Sequence, residues 1–274
     1  MFPLYDHNPT HTTPFVTYLL IALNTAVMVW MATLSPTDQQ VAAVQHGFIP
    51  ARIGQLSTPE PVQVPIREPV IGVDRFGRRV QMVKVVGNVV LPPSKTQVML
   101  SILTTMFMHG GWMHLAGNMW FMWVFGNNVE DRLGHFLYLT FYLVGGLLAT
   151  ATHWAYDPLS MTPVVGASGA VSTILGAYAV TWPRATVSTV IFFGFITVVE
   201  VPALAWLGIW FGGQLLDAFA NRDLGVAVWA HIGGFVAGAF LMPILSHGTP
   251  GLAVAGDERS DERFAPPRRD DYGA

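Results

Sequence analysis

The chain has 274 residues, 52% of them hydrophobic and only 11% charged, with a mean hydropathy of +0.45 and a net charge of −3. An average soluble domain carries about 25% charged residues, so this is the composition of an integral membrane protein. The balance leaves no basic footprint for nucleic acid, and the absence of Cys excludes a disulfide framework, a thiolate nucleophile and a Cys-based metal site.

Residues 1–14 lack the basic n-region of a secretory signal, so the apolar stretch that follows is expected to be retained. One crossing of the hydrocarbon core takes about 20 helical residues, which residues 15–34 supply. Residues 35–96 are polar, rich in Pro, and hold seven of the fourteen Lys and Arg; they form an extramembrane first-loop insertion. Inside it, β-branched runs flank an Asp-to-Gly turn over residues 70–85, the pattern of a small β-hairpin. Residues 97–108 suit a short interfacial helix, and further spans are expected at 111–128, 135–153 and 167–182, the last stopped by Pro183. Residues 187–199 are assigned to an interfacial or half-buried loop, 203–219 to the fifth span and 226–245 to the sixth. The expected fold is an all-α integral membrane protein, a bundle of six transmembrane helices. One helix precedes the insertion and five lie in a core at 97–246, before a disordered tail at 247–274 rich in Pro, Arg, Asp and Gly.

If successive spans alternate in direction, the second, fourth and sixth begin on the same side. His114 and Asn118 lie in the first turns of the second, Ser168 at the opening of the fourth and His231 about one turn into the sixth. At about 1.5 Å per residue these four share one shallow layer. With the long first loop discounted, Lys and Arg favour a cytoplasmic tail and a layer opening outward.

Polar residues at membrane depth cost free energy and by default mark function. Ser168 needs a base to become a nucleophile, and His231 is the candidate; a neutral imidazole accepts the proton and later returns it to the leaving amine. Gly234 and Gly238 form a GxxxG surface, with Gly169, Ala170 and Gly176 available opposite, so the helices can approach closely. An acyl-transfer transition state also needs oxyanion donors. Ser168 offers its own backbone N–H at a helix start, and His114 and Asn118, spaced i and i+4, add side-chain donors from one helical face. Gly166-Ala167-Ser168-Gly169-Ala170 is no Gly-x-Ser-x-Gly elbow, because Ala170 stands at its last position.

Four blocks carry a family resemblance: Phe107-Met108-His109-Gly110-Gly111-Trp112-Met113-His114-Leu115-Ala116-Gly117-Asn118; Phe125-Gly126-Asn127-Asn128-Val129-Glu130-Asp131-Arg132-Leu133-Gly134; Val165-Gly166-Ala167-Ser168-Gly169-Ala170; and Ala230-His231-Ile232-Gly233-Gly234-Phe235-Val236-Ala237-Gly238. In this order they resemble the rhomboid intramembrane serine proteases, with a weaker match at Gly47-Phe48-Ile49-Pro50-Ala51. The resemblance implies a Ser168–His231 dyad without an acidic third member, an oxyanion hole of His114, Asn118 and Ser168, and no cofactor or metal. It implies membrane protein substrates cut within or beside the lipid bilayer near its outer surface, with residues 203–227 gating lateral entry, in the plasma membrane of a prokaryote. Many relatives carry an aromatic four residues after the nucleophile, where this chain has Ser172.

Blander readings compete residue by residue. A lone Ser at a helix start is more often a cap, and Gly166 to Ala170 alone would be packing. His109 is read as structural, and a His109, His114 and His231 metal site lacks both His-Glu-x-x-His and an intramembrane carboxylate. Asp217 and Asp223 are solvated loop charges before they are partners of His231. Glu130 and Arg132 are structural, and Trp206, Trp210 and Phe211 face lipid or the gate. Rival functions are a rhomboid-like pseudoprotease escorting membrane clients, a transporter with a polar pathway, and a metalloprotease.

Overall fold

The computed structural model describes residues 1–73, 75–192, 194–220 and 226–247. The tail assigned to disorder therefore lies outside the described residues, apart from His247, as does Asp223. A strand β1 (Phe2–Asp6) precedes helix α1 (Phe15–Ala32). The first loop holds helix α2 (Pro36–His46), a 3-10 turn at Pro50–Leu56 and a hairpin of β2 (Val62–Val73) and β3 (Arg79–Leu91). Then come α3 (Lys95–Thr104), α4 (Trp112–Leu133), α5 (His135–Tyr156), α6 (Ser168–Thr181), strands β4 (Thr186–Phe192) and β5 (Ile196–Pro202), α7 (Ala203–Phe219) and α8 (Val228–Ser246).

The molecule is a mostly helical, multi-pass membrane protein. Among the described residues α1, α5 and α8 are long and apolar enough to cross a bilayer, while α6 and α7 are shorter apolar helices. Leu19, Leu23, Phe136, Val236 and Phe240 stand exposed on the three longer helices, which suits lipid contact. In contrast, every residue from Gly169 to Ala179 of α6 is buried, so its neighbours, not lipid, surround this helix.

The all-α expectation is corrected by one sheet. Residues 187–199 are not a loop: β4 and β5 pair antiparallel through a turn with Gly194 at φ +78°, and β1 joins β4 to make a three-stranded sheet in the order β1-β4-β5. The physical reason is visible in Thr186-Val-Ser-Thr-Val-Ile and Ile196-Thr-Val-Val-Glu-Val, β-branched runs that suit a pleated surface better than a helix. The first-loop hairpin is present but longer than residues 70–85. Its base packs Val64, Ile66 and Leu91 on Val44 and Ile49, whereas Ile71, Val73, Phe76, Met82, Val83 and Val85 further out are exposed. Helix α2 also lies in a stretch read only as Pro-rich. Ser35 caps it by accepting from the Asp38 N–H at 3.1 Å, with Pro36 in the first turn.

The N-terminal strand is tied down along its length. Trp120 Nε1 donates to Pro3 O at 2.6 Å, Asn128 Nδ2 to Asn8 O at 2.8 Å, and Tyr178 Oη to Asp6 Oδ2 at 2.5 Å. Burial lifts the Asp6 carboxyl from 3.8 to about 6, against the opposing pull of the Tyr178 hydrogen bond. The folded protein thus holds this proton more tightly than the unfolded chain. The resulting stabilisation is complete below about pH 4 and is lost as pH rises through about 6, by at most about 3 kcal/mol. Melting curves of the wild-type protein and Asp6→Asn between pH 4 and 8 should converge at low pH, with the variant ahead above pH 6. Parallel curves across the range would refute this role for Asp6.

Candidate active site

The turn into α6 is held from three sides. Phe48 and Val164 form an antiparallel bridge with N···O distances of 3.1 and 2.7 Å, and the Ala51 N–H donates to Ser160 O at 3.0 Å. The Gly166 N–H donates to Thr105 O at 2.9 Å, Thr105 Oγ1 donates to Val164 O at 2.5 Å, and the Ala167 N–H reaches His109 Nε2 at 3.4 Å. His109 is buried and meets the His114 ring edge-on, with centroids 5.1 Å apart. It therefore supports the turn before Ser168 and the ring beside it.

Gly166 has to be glycine. Its φ of +137° lies in the left-handed region, and a Cβ there would sit 2.9 Å from His114 Cε1 and 3.4 Å from Ser168 Oγ. His114 and Ser168 thus face one point, and both line a cavity of about 630 Å³ together with Gly110, His153, Asp157 and Ala227. The Ser168 N–H sits in the first turn, where helix geometry offers it no acceptor. Ser172 Oγ bonds back to Ser168 O at 2.7 Å and leaves the Ser168 hydroxyl free of it.

Helices α6 and α8 touch backbone to backbone. A Cβ on Gly234 would run into Gly169 O, one on Gly238 into Thr173 O, and one on Gly176 into Phe235 O. Because Gly169–Gly234 and Thr173–Gly238 advance together, the two helices run parallel. A Cβ on Gly169 would lie 3.8 Å from Ala230 Cβ, so the sequence neighbours of Ser168 and His231 are packed side by side. Asn118 is buried one turn below His114 and donates from Nδ2 to His114 O at 3.0 Å.

His231 is buried, with Nδ1 2.7 Å from Gln214 Oε1 and Nε2 without a hydrogen-bond partner among the described residues. Gln214 was missed at the sequence level, although an amide within the otherwise apolar run Ala203 to Leu216 is the same kind of anomaly that singled out His231. It takes the Nδ1 side of the His231 ring. Trp206 is turned away from lipid, buried against Phe121 and Phe125, while the half-buried Trp210 packs on His231 and Phe235, both ring pairs at 6.1 Å. Large aromatics on a short helix are drawn inward when the neighbouring helix offers rings to meet them.

A Rhomboid domain model matches residues 96–248, more than half of the chain. The chain is 27% identical over 159 residues to presenilin-associated rhomboid-like protein A, mitochondrial, of Danio rerio, covering 54% of this chain and 38% of that protein. It is 28% identical over 150 residues to rhomboid-like protein 11, chloroplastic, of Arabidopsis thaliana, covering 53% and 51%. With presenilin-associated rhomboid-like protein, mitochondrial, of Bos taurus it shares 30% over 157 residues, covering 54% and 38%. The matched region is thus about half or less of each relative's length, and their names place these relatives in mitochondria and chloroplasts.

Proposed function

Because the chain belongs to the rhomboid family, we propose that it is an intramembrane serine endopeptidase acting on transmembrane or membrane-tethered proteins. The observation that carries this reading is the convergence of Ser168 and His114 on one cavity, with His231 on the helix packed against that of Ser168. Ser168 Oγ attacks the scissile carbonyl carbon as His231 Nε2 takes its proton. The oxyanion is met by the Ser168 N–H, His114 and, once its amide turns from His114 O, Asn118. The C–N bond then breaks, the proton passes from His231 to the leaving amine, and water, activated by the same imidazole, hydrolyses the acyl-enzyme.

In this reading α1, α4, α5, α6, α7 and α8 make six crossings. Helix α6 crosses in 14 residues, a length that its enclosure by other helices makes tolerable, since protein lines its ends. The working unit is the core at 97–246 together with the first helix. The bilayer is proposed to be a prokaryotic plasma membrane, a location that the organellar names of the relatives do not favour. The reaction calls for no cofactor.

A fluorophosphonate probe applied to the purified protein in detergent is expected to add its mass to the peptide containing Ser168. Labelling confined to another serine would move the nucleophile elsewhere. No labelling at all, with client proteins still bound, would favour the pseudoprotease.

A further inference from the structure

Ser172 leaves His231 without an aromatic support from α6, and the support it does have comes from α7. Gln214 and Trp210 stand one turn apart on that helix. Oε1 of the first lies 2.7 Å from Nδ1 of His231, and the ring of the second lies 6.1 Å from the imidazole at a tilt of 34°. Phe211 stacks on Phe235 of α8 at 4.4 Å, which fixes α7 against the helix that carries His231.

An amide oxygen accepts hydrogen bonds and cannot donate them. A bond at 2.7 Å to that oxygen therefore requires the imidazole proton on Nδ1 and leaves the lone pair on Nε2, the nitrogen that is buried without a partner among the described residues. We propose that Gln214 is a positioning residue that sets the tautomer and rotation of His231, as the acid of a Ser-His-Asp triad does, but without burying a charge. A carboxylate here would have to be desolvated, whereas a neutral acceptor costs far less. The proposal rests on the reading of His231 as general base.

The test compares wild type, Gln214→Met and Gln214→Glu in the full-length protein, with two readouts. The first is cleavage of a model transmembrane substrate in liposomes. Gln214→Met, which keeps the length but removes the acceptor, is expected to lower kcat at least about 10-fold and up to the about 10⁴-fold that a wrong imidazole tautomer costs a Ser-His-Asp triad, with little change in KM. Gln214→Glu, which keeps an acceptor, is expected to recover most of that loss. A purely structural role in α7 would change KM or thermal stability and leave the His231 tautomer as it is.

The second readout is the ¹⁵N spectrum of histidine-labelled protein, assigned with His231→Gln. It is expected to show the Nδ1–H form of His231 in wild type and in Gln214→Glu, and a change towards Nε2–H in Gln214→Met. Unchanged kcat in Gln214→Met, or an unchanged His231 tautomer, overturns the proposal. If wild type cleaves nothing, the protease reading fails by itself, and the spectrum still decides whether Gln214 sets the tautomer.

Discussion

Replacing Ser168 by Ala is expected to abolish cleavage of a transmembrane substrate, with a loss of roughly four orders of magnitude or more. His231→Ala should do the same, and the double variant should be no worse than either single one, because nucleophile and base act as a unit. The structure gives a reason to expect both proteins to fold. Among the described residues the Ser168 hydroxyl makes no hydrogen bond, and the bond in its first turn, from Ser172 Oγ, goes to a backbone oxygen that the substitution keeps. Among the described residues, removing the His231 ring gives up one hydrogen bond, to Gln214, and a loose contact with Trp210. Purified Ser168→Ala that still cleaves would end the assignment, and equal melting temperatures of variant and wild type would tie the loss to chemistry.

The second large effect is on stability, at the opposite end of α4. Glu130 is fully buried and accepts from the Val16 N–H and Thr17 N–H, both at 2.8 Å, from Thr17 Oγ1 at 2.7 Å and from His135 Nδ1 at 2.6 Å. Two of these donors are orphan N–H groups in the first turn of α1, where a carboxylate also meets the positive end of the helix dipole. Asp131 adds to the same junction by accepting from the Thr12 N–H at 2.8 Å. Glu130→Ala strands buried donors on α1 and removes the node joining α1, α4 and α5, so a loss of about 3–5 kcal/mol is expected. Glu130→Gln keeps one acceptor oxygen and should lose less. Thermal melts in detergent decide it, and a Glu130→Ala protein that melts like wild type would show that the junction is held by packing alone.

How far the chain could be read without coordinates follows from which physical signal each part carries. The helices were legible because long apolar runs ended at strong stops, as at Pro202 before α7 and Pro183 after α6. The site layer was legible because His114, Ser168 and His231 are costly where they stand, and the helix packing because Gly169, Gly176, Gly234 and Gly238 fall at close-approach spacing. Residues 186–202 failed because hydrophobicity at a membrane surface looks the same in a strand and in a dipping helix; only their β-branched content distinguished them. The first strand gave no signal at all, since Phe2–Asp6 is short and its partner lies far along the chain. Gln214 was missed for a different reason: attention went to groups that titrate, and an amide does not, although placing one in an apolar helix is almost as informative.

The pairing of β1 with β4 sets an order of events during synthesis. His7 meets Ser188 across 181 positions of chain, and at about 5–20 residues per second a ribosome needs roughly 10–40 s to make the second after the first. Throughout that interval the edge of the early strand that will pair with β4 waits without its partner, while α1 to α6 are inserted one after another. Closing the sheet is therefore a late step, completed from the earliest-made of these segments, and anything that sequesters residues 2–6 in the meantime leaves the finished helices without their clasp.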